Sequence, residues 1–451
     1  MDQLRVAHYD IRLEILPATV PNNQKLYGGD IAVDCALTIH NTSDQSASHC
    51  TLDLYRLLDV KGVADEHGAS IDFTQGLRTA DERHQINSVS ISFDPPLAPD
   101  TQRTIRLNYA GAICGCPERL PYAWDHISST FSLLRGEVDW YPRPSANPWA
   151  SEFNYVVRIV LPSELSAVSA GEDLGIEDLD ENRKAYTYRS EGLYRQLIIA
   201  AAPFSIREIS GAILYTQTAA ERGITLAQRA LAAIDQYAVR WLGNKPQTPL
   251  RIVEIPKGYG SQSTHSAVWQ TADGLCSEGD ESLAYARILS GLGHEALHRW
   301  HPRPHPKEQT RFLDEGLTHY LEALLLRNEI GEQAFSQRLE SYRRGFLSGG
   351  DEALSTPIAD SINSSPISRG KGPWVFAVLH ALLGDEAFFS LLRAYAHRYA
   401  NTPVTLADFA AVFNEYSPRD LQPLFADWLY GTASSTYLSS LTSPEALAKK
   451  Y

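Results

Sequence analysis

The chain has 451 residues, more than a single hydrophobic core of ordinary size accommodates, and we therefore expect two or three domains. Its 54 acidic residues outnumber the 40 basic ones, and the formal net charge of -14 argues against a general binder of nucleic acids or of anionic membranes. The rest of the composition is that of an ordinary globular protein.

The cysteines argue against a secreted protein held together by disulfides. Their number is odd and their spacing irregular, which fits a cytoplasmic protein with reduced thiols. The CxC pair formed by Cys114 and Cys116 has no second pair to complete a metal site, so we interpret it as structural. The N-terminus MDQLRVAHYD lacks an apolar signal core, and apolar segments such as VFAVLHALLG are too short to cross a bilayer. We predict a soluble, cytoplasmic protein.

The first part of the chain has the period-two pattern of half-buried strands. In YDIRLEIL, the apolar residues Ile11, Leu13 and Ile15 alternate with charged ones. The segment DIAVDCALTIH repeats this pattern with Ile31, Val33, Cys35, Leu37 and Ile39. RTIRLNYAG and NYVVRIVLP follow it too, and clusters rich in Pro, Asn, Asp and Gly separate the segments. We predict an antiparallel β domain over residues 1–205.

The pattern then changes to that of helices. TLAQRALAAIDQYAVRWLG has helical apolar spacing from Leu226 to Leu242 and ends at Gly243, and PLRIVEI after it predicts a short strand. Two further amphipathic helices are predicted by Leu283, Ile288, Leu292 and Leu297, and by Leu313, Leu317, Leu321 and Leu324. We predict a mainly helical second domain over residues 206–451, so the fold class is α+β.

A metal-binding motif lies on the first of these two helices. In GHEALHRW, His294 and His298 are four residues apart and therefore face the same way, so both can direct a ring nitrogen at one zinc ion. Glu295 lies beside them, where a carboxylate can take a proton from the water that zinc activates and pass it to a leaving amine. This motif predicts a catalytic zinc site.

The second helix supplies the remaining candidate ligands, after a proline-rich connection that contains Pro302, Pro304 and Pro306. A catalytic zinc takes three protein ligands and keeps one position open, and Glu315 is the best candidate for the third. His319 and Glu322 fall on the same helical face, where either can orient a ligand, and Glu322 is favoured because metal-bound histidines commonly donate to a carboxylate.

The other histidines of this region have a simpler interpretation. His301 and His305 follow the motif within the proline-rich connection. We interpret both as solvated or loop-packing residues.

These segments resemble the thermolysin-like zinc aminopeptidases of the aminopeptidase N and leukotriene hydrolase type. FLDEGLTHYLE is similar to the family segment W-L-N-E-G-F-A-x-Y-x-E, whose glutamate is the third zinc ligand and matches Glu315. The segment from KGPWVFAVLHALLG to FADWLYG is similar to the helical end of the family's catalytic domain. The early β region is similar to its N-terminal saddle. The resemblance implies a β saddle followed by a thermolysin-like catalytic domain with one zinc ion.

The chain departs from the family in the connection and in the substrate loop. Sixteen residues separate His298 from Glu315, where the family usually has eighteen, and the proline-rich connection can absorb this deletion. The family's G-x-M-E-N loop, whose glutamate holds the substrate's free amino group, falls near YGSQSTHSAVWQTADG. No acid occupies that place, and the candidate loop residues are Tyr259, Gly260, Ser263 and His265. Without the charge partner of an ammonium group, strict aminopeptidase specificity is in doubt.

Two acids further along the chain, Asp273 and Glu278, are possible substitutes for the missing loop glutamate.

The last departure from the family concerns the residue that donates to the oxyanion. The family's Y-x-K-G tyrosine, which donates to the oxyanion of the tetrahedral intermediate, is replaced by Arg369 in SRGKGPW. A guanidinium is a strong donor and can take over this task, and Tyr259 and His265 are alternative donors. A surface arginine without a catalytic role is the other interpretation.

The expected function is that of a zinc metallopeptidase that hydrolyses a peptide or small amide. One alternative is a specificity other than that of an aminopeptidase, such as an endopeptidase, an amidase or a hydrolase of another small electrophile. The other is a catalytically silent, zinc-bearing or metal-free scaffold that binds a partner. Glu295 together with three ligands argues against the scaffold, because a structural zinc site has no need of a general base. The sequence leaves the oligomeric state undetermined.

Overall fold

The three-dimensional structure is a computed structural model of the whole chain. It describes residues 4–17, 29–79, 85–114, 126–145, 152–243, 246–305, 308, 310–400, 402–440 and 443–451. Cys116 and Pro306 lie outside these ranges. Cys35, Cys50, Cys114 and Cys276 lie inside them, and no disulfide joins these four.

The chain forms two compact units. The first consists of Met1–Arg207, Ile213–Thr218 and Arg251–Thr271. The second consists of Glu208–Ala212, Ala219–Leu250 and Ala272–Tyr451. Residues 251–271, which the sequence analysis assigned to the second domain, thus group with the first unit. The domain boundary at residue 205 stays a prediction.

Strands make up most of the first unit. In chain order they are β1 (Leu4–Leu16), β2 (Asp30–Asn41), β3 (Ala47–Tyr55), β4 (Leu58–Asp65), β5 (Phe73–Thr79), β6 (Gln85–Leu97), β7 (Gln102–Ala112), β8 (Ser132–Leu134), β9 (Arg143–Pro144), β10 (Asn154–Pro162), β11 (Ser166–Ser169), β12 (Glu172–Asp180), β13 (Arg183–Arg189), β14 (Ile199–Ala202), β15 (Ser205–Ile209), β16 (Ala212–Thr216), β17 (Leu250–Ile255), β18 (Gln262–Ser263) and β19 (Ala267–Thr271). They form sheets of seven strands (β12-β13-β10-β1-β2-β7-β4), four (β5-β6-β3-β9), three (β11-β14-β8) and five (β15-β16-β17-β19-β18).

The seven-stranded sheet follows the predicted alternation. The apolar residues Ile11, Leu13 and Ile15 of β1 are buried, and so are the five alternating residues predicted in β2. The strands β1, β2 and β7 pair in antiparallel fashion. One pair differs, because β1 also pairs in parallel with β10, with Tyr9 opposite Tyr155. Eight strands separate these two in sequence, which provides the long connection that parallel pairing requires.

Helices make up most of the second unit. They are α1 (Glu221–Leu242), α2 (Glu281–Leu297), α3 (Leu317–Glu329), α4 (Glu332–Leu347), α5 (Gly350–Ser355), α6 (Gly372–Arg398), α7 (Leu406–Tyr416), α8 (Gln422–Trp428), α9 (Ala433–Ser439) and α10 (Pro444–Ala448). The β-rich first part and the helical second part confirm the predicted α+β class. One core assignment was wrong: Leu283 is 68% exposed. It lies in the first turn of α2, where its backbone N–H donates to the helix-capping side chain of Asp280 at 3.1 Å.

A glycine allows α3 to approach α2 closely. A Cβ atom at Gly293 would lie 2.7 Å from Leu325 Cδ1, closer than carbon atoms pack. Gly293 immediately precedes His294, so this contact brings the α3 face next to the histidine motif. Ile288, Leu289 and Leu292 of α2 are buried in the same unit.

Two π-helical turns meet beside these helices. One comprises Phe312–Gly316 and runs into α3, and the other comprises Pro366–Lys371 and runs into α6. A Cβ atom at Gly316 would lie 3.3 Å from Gly372 Cα and 3.0 Å from Phe312 Cδ2, so the two turns pack backbone against backbone. Turns of this kind are frequent at functional sites.

One apolar helix, 366–398, is long and apolar enough to cross a membrane. Half of its most apolar window is buried within the structure, and the Phe376 ring stacks on the Phe312 ring with centroids 5.1 Å apart. The helix also breaks at Gly384, whose φ of 73° is not helical. Core helices of soluble proteins pass the same test of length and composition.

Candidate metal centre

The two motif histidines lie at the C-terminal end of α2 and face one point. His294 is in the last turn and His298 caps the helix. Their Nε2 atoms are 3.3 Å apart, and their rings are nearly perpendicular at 88°. The i, i+4 spacing thus produces the predicted convergence of two imidazole nitrogens.

Glu315 completes this arrangement from the π-helical turn before α3. Its Oε2 atom lies 3.4 Å from His294 Nε2 and has no hydrogen-bond partner in the described part of the chain, although the side chain is only 3% exposed. Its other oxygen, Oε1, accepts from Arg311 Nη2 at 2.5 Å and from Arg369 Nη2 at 3.0 Å. Glu315 therefore presents one unpaired oxygen to the histidines.

These distances fit a tetrahedral metal ion. Zinc binds nitrogen and carboxylate oxygen at about 2.0 to 2.2 Å, which places neighbouring tetrahedral ligand atoms about 3.3 Å apart. The separations of 3.3 Å between His294 and His298 and 3.4 Å between His294 and Glu315 match this value. The buried, unpaired Oε2 atom of Glu315 is the kind of group that costs free energy unless a cation binds it. The residues present therefore fit a zinc ion.

The outer partner of His298 is Asp314, which the sequence analysis missed. The Nδ1 atom of His298 lies 2.7 Å from Asp314 Oδ1 and 3.1 Å from Thr318 Oγ1. A carboxylate at Nδ1 leaves Nε2 to face a metal ion, which is the usual arrangement around zinc. Asp314 also accepts from Arg311 at 3.1 Å. The i, i+3 and i, i+4 spacing of Arg311, Asp314 and Glu315 in RFLDE was the available signal.

Glu322 and His319, the predicted orienting residues, contact each other. The Nδ1 atom of His319 lies 3.3 Å from Glu322 Oε2. Glu322 also accepts from Tyr342 at 2.7 Å and pairs with Arg338 at 2.7 Å, and Ser290 donates to it. Among the described residues neither His294 nor His298 has a hydrogen bond with Glu322, and His294 Nδ1 has no hydrogen-bond partner.

The two histidines outside the motif helix differ in their surroundings. His301 is buried, with Nε2 at 2.8 Å from Thr318 Oγ1 and Nδ1 at 3.2 Å from the Pro302 carbonyl oxygen. Both of its nitrogens are thus engaged, and its packing role stays a prediction. The backbone N–H of His305 donates to the Val404 carbonyl oxygen at 2.7 Å.

The charges of the site act strongly on its titratable groups. Burial lowers the pKa of His298, but the Asp314 carboxylate outweighs it and raises the pKa to about 9. Burial raises the pKa of Glu315, but the adjacent His294 ring and the Arg311 guanidinium hold it well below its usual range. Burial lowers the pKa of His319 to about 4, despite the opposing effect of Glu322.

Arg369 lies next to a predicted ligand. Its guanidinium, on a half-exposed side chain, donates to Glu315 Oε1 at 3.0 Å. Arg369 thus contacts a predicted zinc ligand, and both interpretations of this residue, as an oxyanion donor and as a surface arginine, stay predictions. The neighbouring Lys371 is fully buried, and its Nζ atom has no hydrogen-bond partner in the described ranges.

Glu295 is half-buried beside the two histidines. Within the described part of the chain its carboxylate has no hydrogen bond or ion pair, although its charge contributes to raising the pKa of His298 and of Arg311. A carboxylate without a structural partner remains available to exchange protons.

The predicted substrate loop belongs to the first unit. Tyr259 OH lies 2.9 Å from His126 Nδ1, and the His265 ring lies 4.6 Å from the Tyr194 ring. Ser263 pairs with Val268 across β18 and β19. Gly260 is half-buried before β18.

The loop also contacts a carboxylate from elsewhere in the first unit. Gln262 Nε2 lies 3.1 Å and 3.2 Å from the two carboxylate oxygens of Glu137. Arg135 lies 3.9 Å from the same carboxylate. The predicted substitutes for the loop glutamate, Asp273 and Glu278, lie in the second unit and after β19.

No family model matches the chain, and no curated protein matches its sequence. Solved structures do match. An M1 zinc metallopeptidase of Deinococcus radiodurans, a Glu-to-Ala mutant bound to the substrate Tyr-Ser-Ala, is 18% identical over 95% of this chain and 94% of that chain, with a TM-score of 0.67. Native yeast LTA4 hydrolase is 18% identical over 95% of this chain and 68% of that chain, with a TM-score of 0.69. A two-domain M1 zinc metallopeptidase mutant bound to L-tryptophan is 17% identical over 99% of this chain and 97% of that chain, with a TM-score of 0.63.

These likenesses define the fold. The chain has the fold of the M1 zinc metallopeptidases, the class to which its sequence segments pointed. At this level of identity the likeness shows the fold alone.

Proposed function

We propose that the protein is a zinc-dependent metallohydrolase that cleaves the amide bond of a peptide. The observation that carries the proposal is that His294 Nε2 lies 3.3 Å from His298 Nε2 and 3.4 Å from Glu315 Oε2. Beside them, Glu295 is half-buried and has no hydrogen bond or ion pair in the described part of the chain. Three such ligands and an adjacent general base are the donor set of a catalytic zinc site.

Each residue has a defined task in this reaction. His294, His298 and Glu315 would hold the ion, and Asp314 would fix the orientation of the His298 ring through Nδ1. When bound, zinc supplies Lewis-acid polarisation of the scissile carbonyl and lowers the pKa of water. Glu295 accepts a proton from the attacking water and delivers it to the leaving amine.

Arg369 is the candidate donor to the oxyanion, with a second possible task as a partner of Glu315. In the first case Arg369→Ala lowers kcat by about 100-fold to 1000-fold and leaves KM and zinc affinity unchanged. In the second case zinc affinity falls, because Glu315 Oε1 loses the donor that lies 3.0 Å away. A zinc titration combined with steady-state kinetics separates the two tasks, and an unchanged kcat and zinc affinity would remove Arg369 from the site.

One observation bears on the specificity. The substrate loop carries no acid between Tyr259 and Ala272, which favours an amidase or endopeptidase over a strict aminopeptidase.

The test is a mass-spectrometric digest of a mixed peptide library, half with free and half with acetylated N-termini. We expect the zinc-loaded protein to cleave peptides, and Glu295→Gln to lower the rate by about 100-fold to 10,000-fold. Glu281→Gln is the matched control, since it makes the same change at an exposed position of the same helix. Stepwise loss of residues from free peptides alone indicates an aminopeptidase, and cleavage of acetylated peptides indicates an endopeptidase or amidase.

The catalytically silent scaffold is the competing function of another class. It would bind zinc without hydrolysing any member of the library. A rate equal to that of Glu295→Gln for every peptide would therefore reject the peptidase and leave the scaffold or a hydrolase of another small electrophile. The cytoplasmic location and the absence of nucleic-acid and membrane partners remain predictions from composition.

A further inference from the structure

His319 has one buried nitrogen that nothing in the described chain satisfies. It follows Glu315 by one helical turn, so the two side chains lie on the same face. The Nε2 atom of His319 is buried, has no hydrogen-bond partner among the described residues, and lies 3.6 Å from Glu315 Oε2. Its ring lies 4.3 Å from the His294 ring. Two unpaired buried atoms, on His319 and Glu315, thus face each other next to His294.

The opposite side of the His319 ring is firmly held. Its Nδ1 atom lies 3.3 Å from Glu322 Oε2 and 3.3 Å from Tyr342 OH. Glu322 is 3% exposed and is fixed in turn by Arg338 at 2.7 Å and by Tyr342 at 2.7 Å. A proton on Nδ1 satisfies this carboxylate and leaves the Nε2 lone pair directed at Glu315 and His294.

This is the arrangement of a metal-bound histidine. Such histidines commonly donate one ring N–H to a carboxylate and present the other nitrogen to the ion. His301 shows that burial alone does not produce it, because both nitrogens of that ring have partners, at 2.8 Å and 3.2 Å. An ion between His319 Nε2 and Glu315 Oε2 satisfies both unpaired atoms at once.

We propose that His319 is a fourth protein ligand of the metal ion, in addition to His294, His298 and Glu315. The ligand atoms of His294, Glu315 and His319 lie within 4.8 Å of one another. His298 adjoins this group at His294, with the two Nε2 atoms 3.3 Å apart. The identity of the ion as zinc rests on the proposed function. When an ion is bound, His319 would take the position that a site with three protein ligands keeps open.

The test counts imidazole ligands by zinc-edge X-ray absorption on the full chain, stripped of metal and reloaded with one equivalent of zinc. We expect three imidazoles in the unaltered protein, two in His319→Ala and three in the control His301→Ala. Two imidazoles in the unaltered protein overturn the proposal. The proposal is also overturned if His319→Ala retains three imidazoles, or if only His301→Ala loses one. If a variant fails to fold, the count in the unaltered protein decides.

A chelator competition on the same samples provides a second readout. His319→Ala should weaken zinc binding by at least about 10-fold, which is the lower end of the loss caused by removing an outer partner. This inference and the proposed function fail separately. If the unaltered protein shows three imidazoles but cleaves no peptide, His319 is a ligand and the peptidase is rejected. If it shows two imidazoles and cleaves peptides, the peptidase stands and His319 is not a ligand.

Discussion

The two π-helical turns that pack together near Gly316 and Gly372 carry opposite charges. They also differ in how many of their charged side chains have a partner. The turn Phe312–Gly316 carries two acids, and both are bound by cations or by histidine. Asp314 contacts His298 at 2.7 Å and Arg311 at 3.1 Å. The carboxylate of the neighbouring glutamate accepts from two guanidinium groups.

The turn Pro366–Lys371 carries two cations, and only one of them has a partner. Arg369 donates to Glu315, whereas Lys371 is fully buried and its Nζ atom is unpaired in the described part of the chain. The difference shows that burial by itself does not identify a functional charge. A buried polar atom without a hydrogen bond indicates a bound ligand where other potential ligand atoms lie close to it, as at Glu315. Elsewhere such an atom only lowers the stability of the fold.

Among the substitutions in these two turns, Glu315→Gln should have the largest effect on zinc binding and hydrolysis. The amide removes the anionic ligand atom, so we expect zinc affinity to fall by more than the roughly 100-fold that loss of an outer partner costs, and hydrolysis to be lost. The half-exposed guanidinium groups of Arg311 and Arg369 can be solvated, so folding should persist. Glu329→Gln, at the other end of α3, is the control for a chelator competition, and equal zinc affinity in both variants would refute the ligand role of Glu315.

Lys371→Met should stabilise the fold by about 3 kcal/mol at neutral pH. Burial lowers the pKa of Lys371 from its ordinary 10.5 to about 8 in the folded chain. Between these two values the unfolded chain binds a proton that the folded chain has released, so the free energy of unfolding rises with pH across that window. Denaturant titrations across the window should show this rise in the unaltered protein and its loss in Lys371→Met. A parallel rise in both proteins would refute the assignment to Lys371.

Asp314→Asn should weaken zinc binding by about 10-fold to 100-fold, a smaller loss than that of a ligand. The amide is a poorer acceptor for His298 Nδ1–H, so the ring is less well oriented. Asp385→Asn is a matched control, because Asp385 contacts His380 at 2.8 Å in another part of the same unit. In a chelator competition, Asp314→Asn should bind zinc more weakly than Asp385→Asn. The opposite order would exclude Asp314 as the carboxylate that orients His298.

Gly316→Ala should have the smallest effect, a loss of about 1 to 3 kcal/mol in the free energy of unfolding. Its Cβ atom would lie 3.0 Å from Phe312 Cδ2 and 3.3 Å from Gly372 Cα, which forces the two turns apart by a few tenths of an ångström. Gly345→Ala in α4 is the control, since a Cβ atom there meets nothing within 4 Å. Equal midpoints of thermal unfolding for the two variants would show that the turns tolerate separation.

Much of the fold follows from the sequence by itself, because the signals are local. The period-two pattern of Ile11, Leu13 and Ile15 fixes which face of β1 is buried, and helical spacing fixes the course of α1 and α3. The same holds for the core of the site. The i, i+4 spacing of His294 and His298 determines that the two side chains lie on one face and can approach each other.

Only the tertiary structure decided which groups pair across elements. The approach of α3 to α2 at Gly293 and the contact of two π-helical turns at Gly316 set these distances, and neither is encoded by a periodic pattern. The spacing along the chain indicated only that Glu322 can orient a metal ligand, whereas the packing places it at His319 and places Asp314 at His298. Hydrogen bonds depend on tenths of an ångström, and such distances are determined by packing rather than by spacing along the chain.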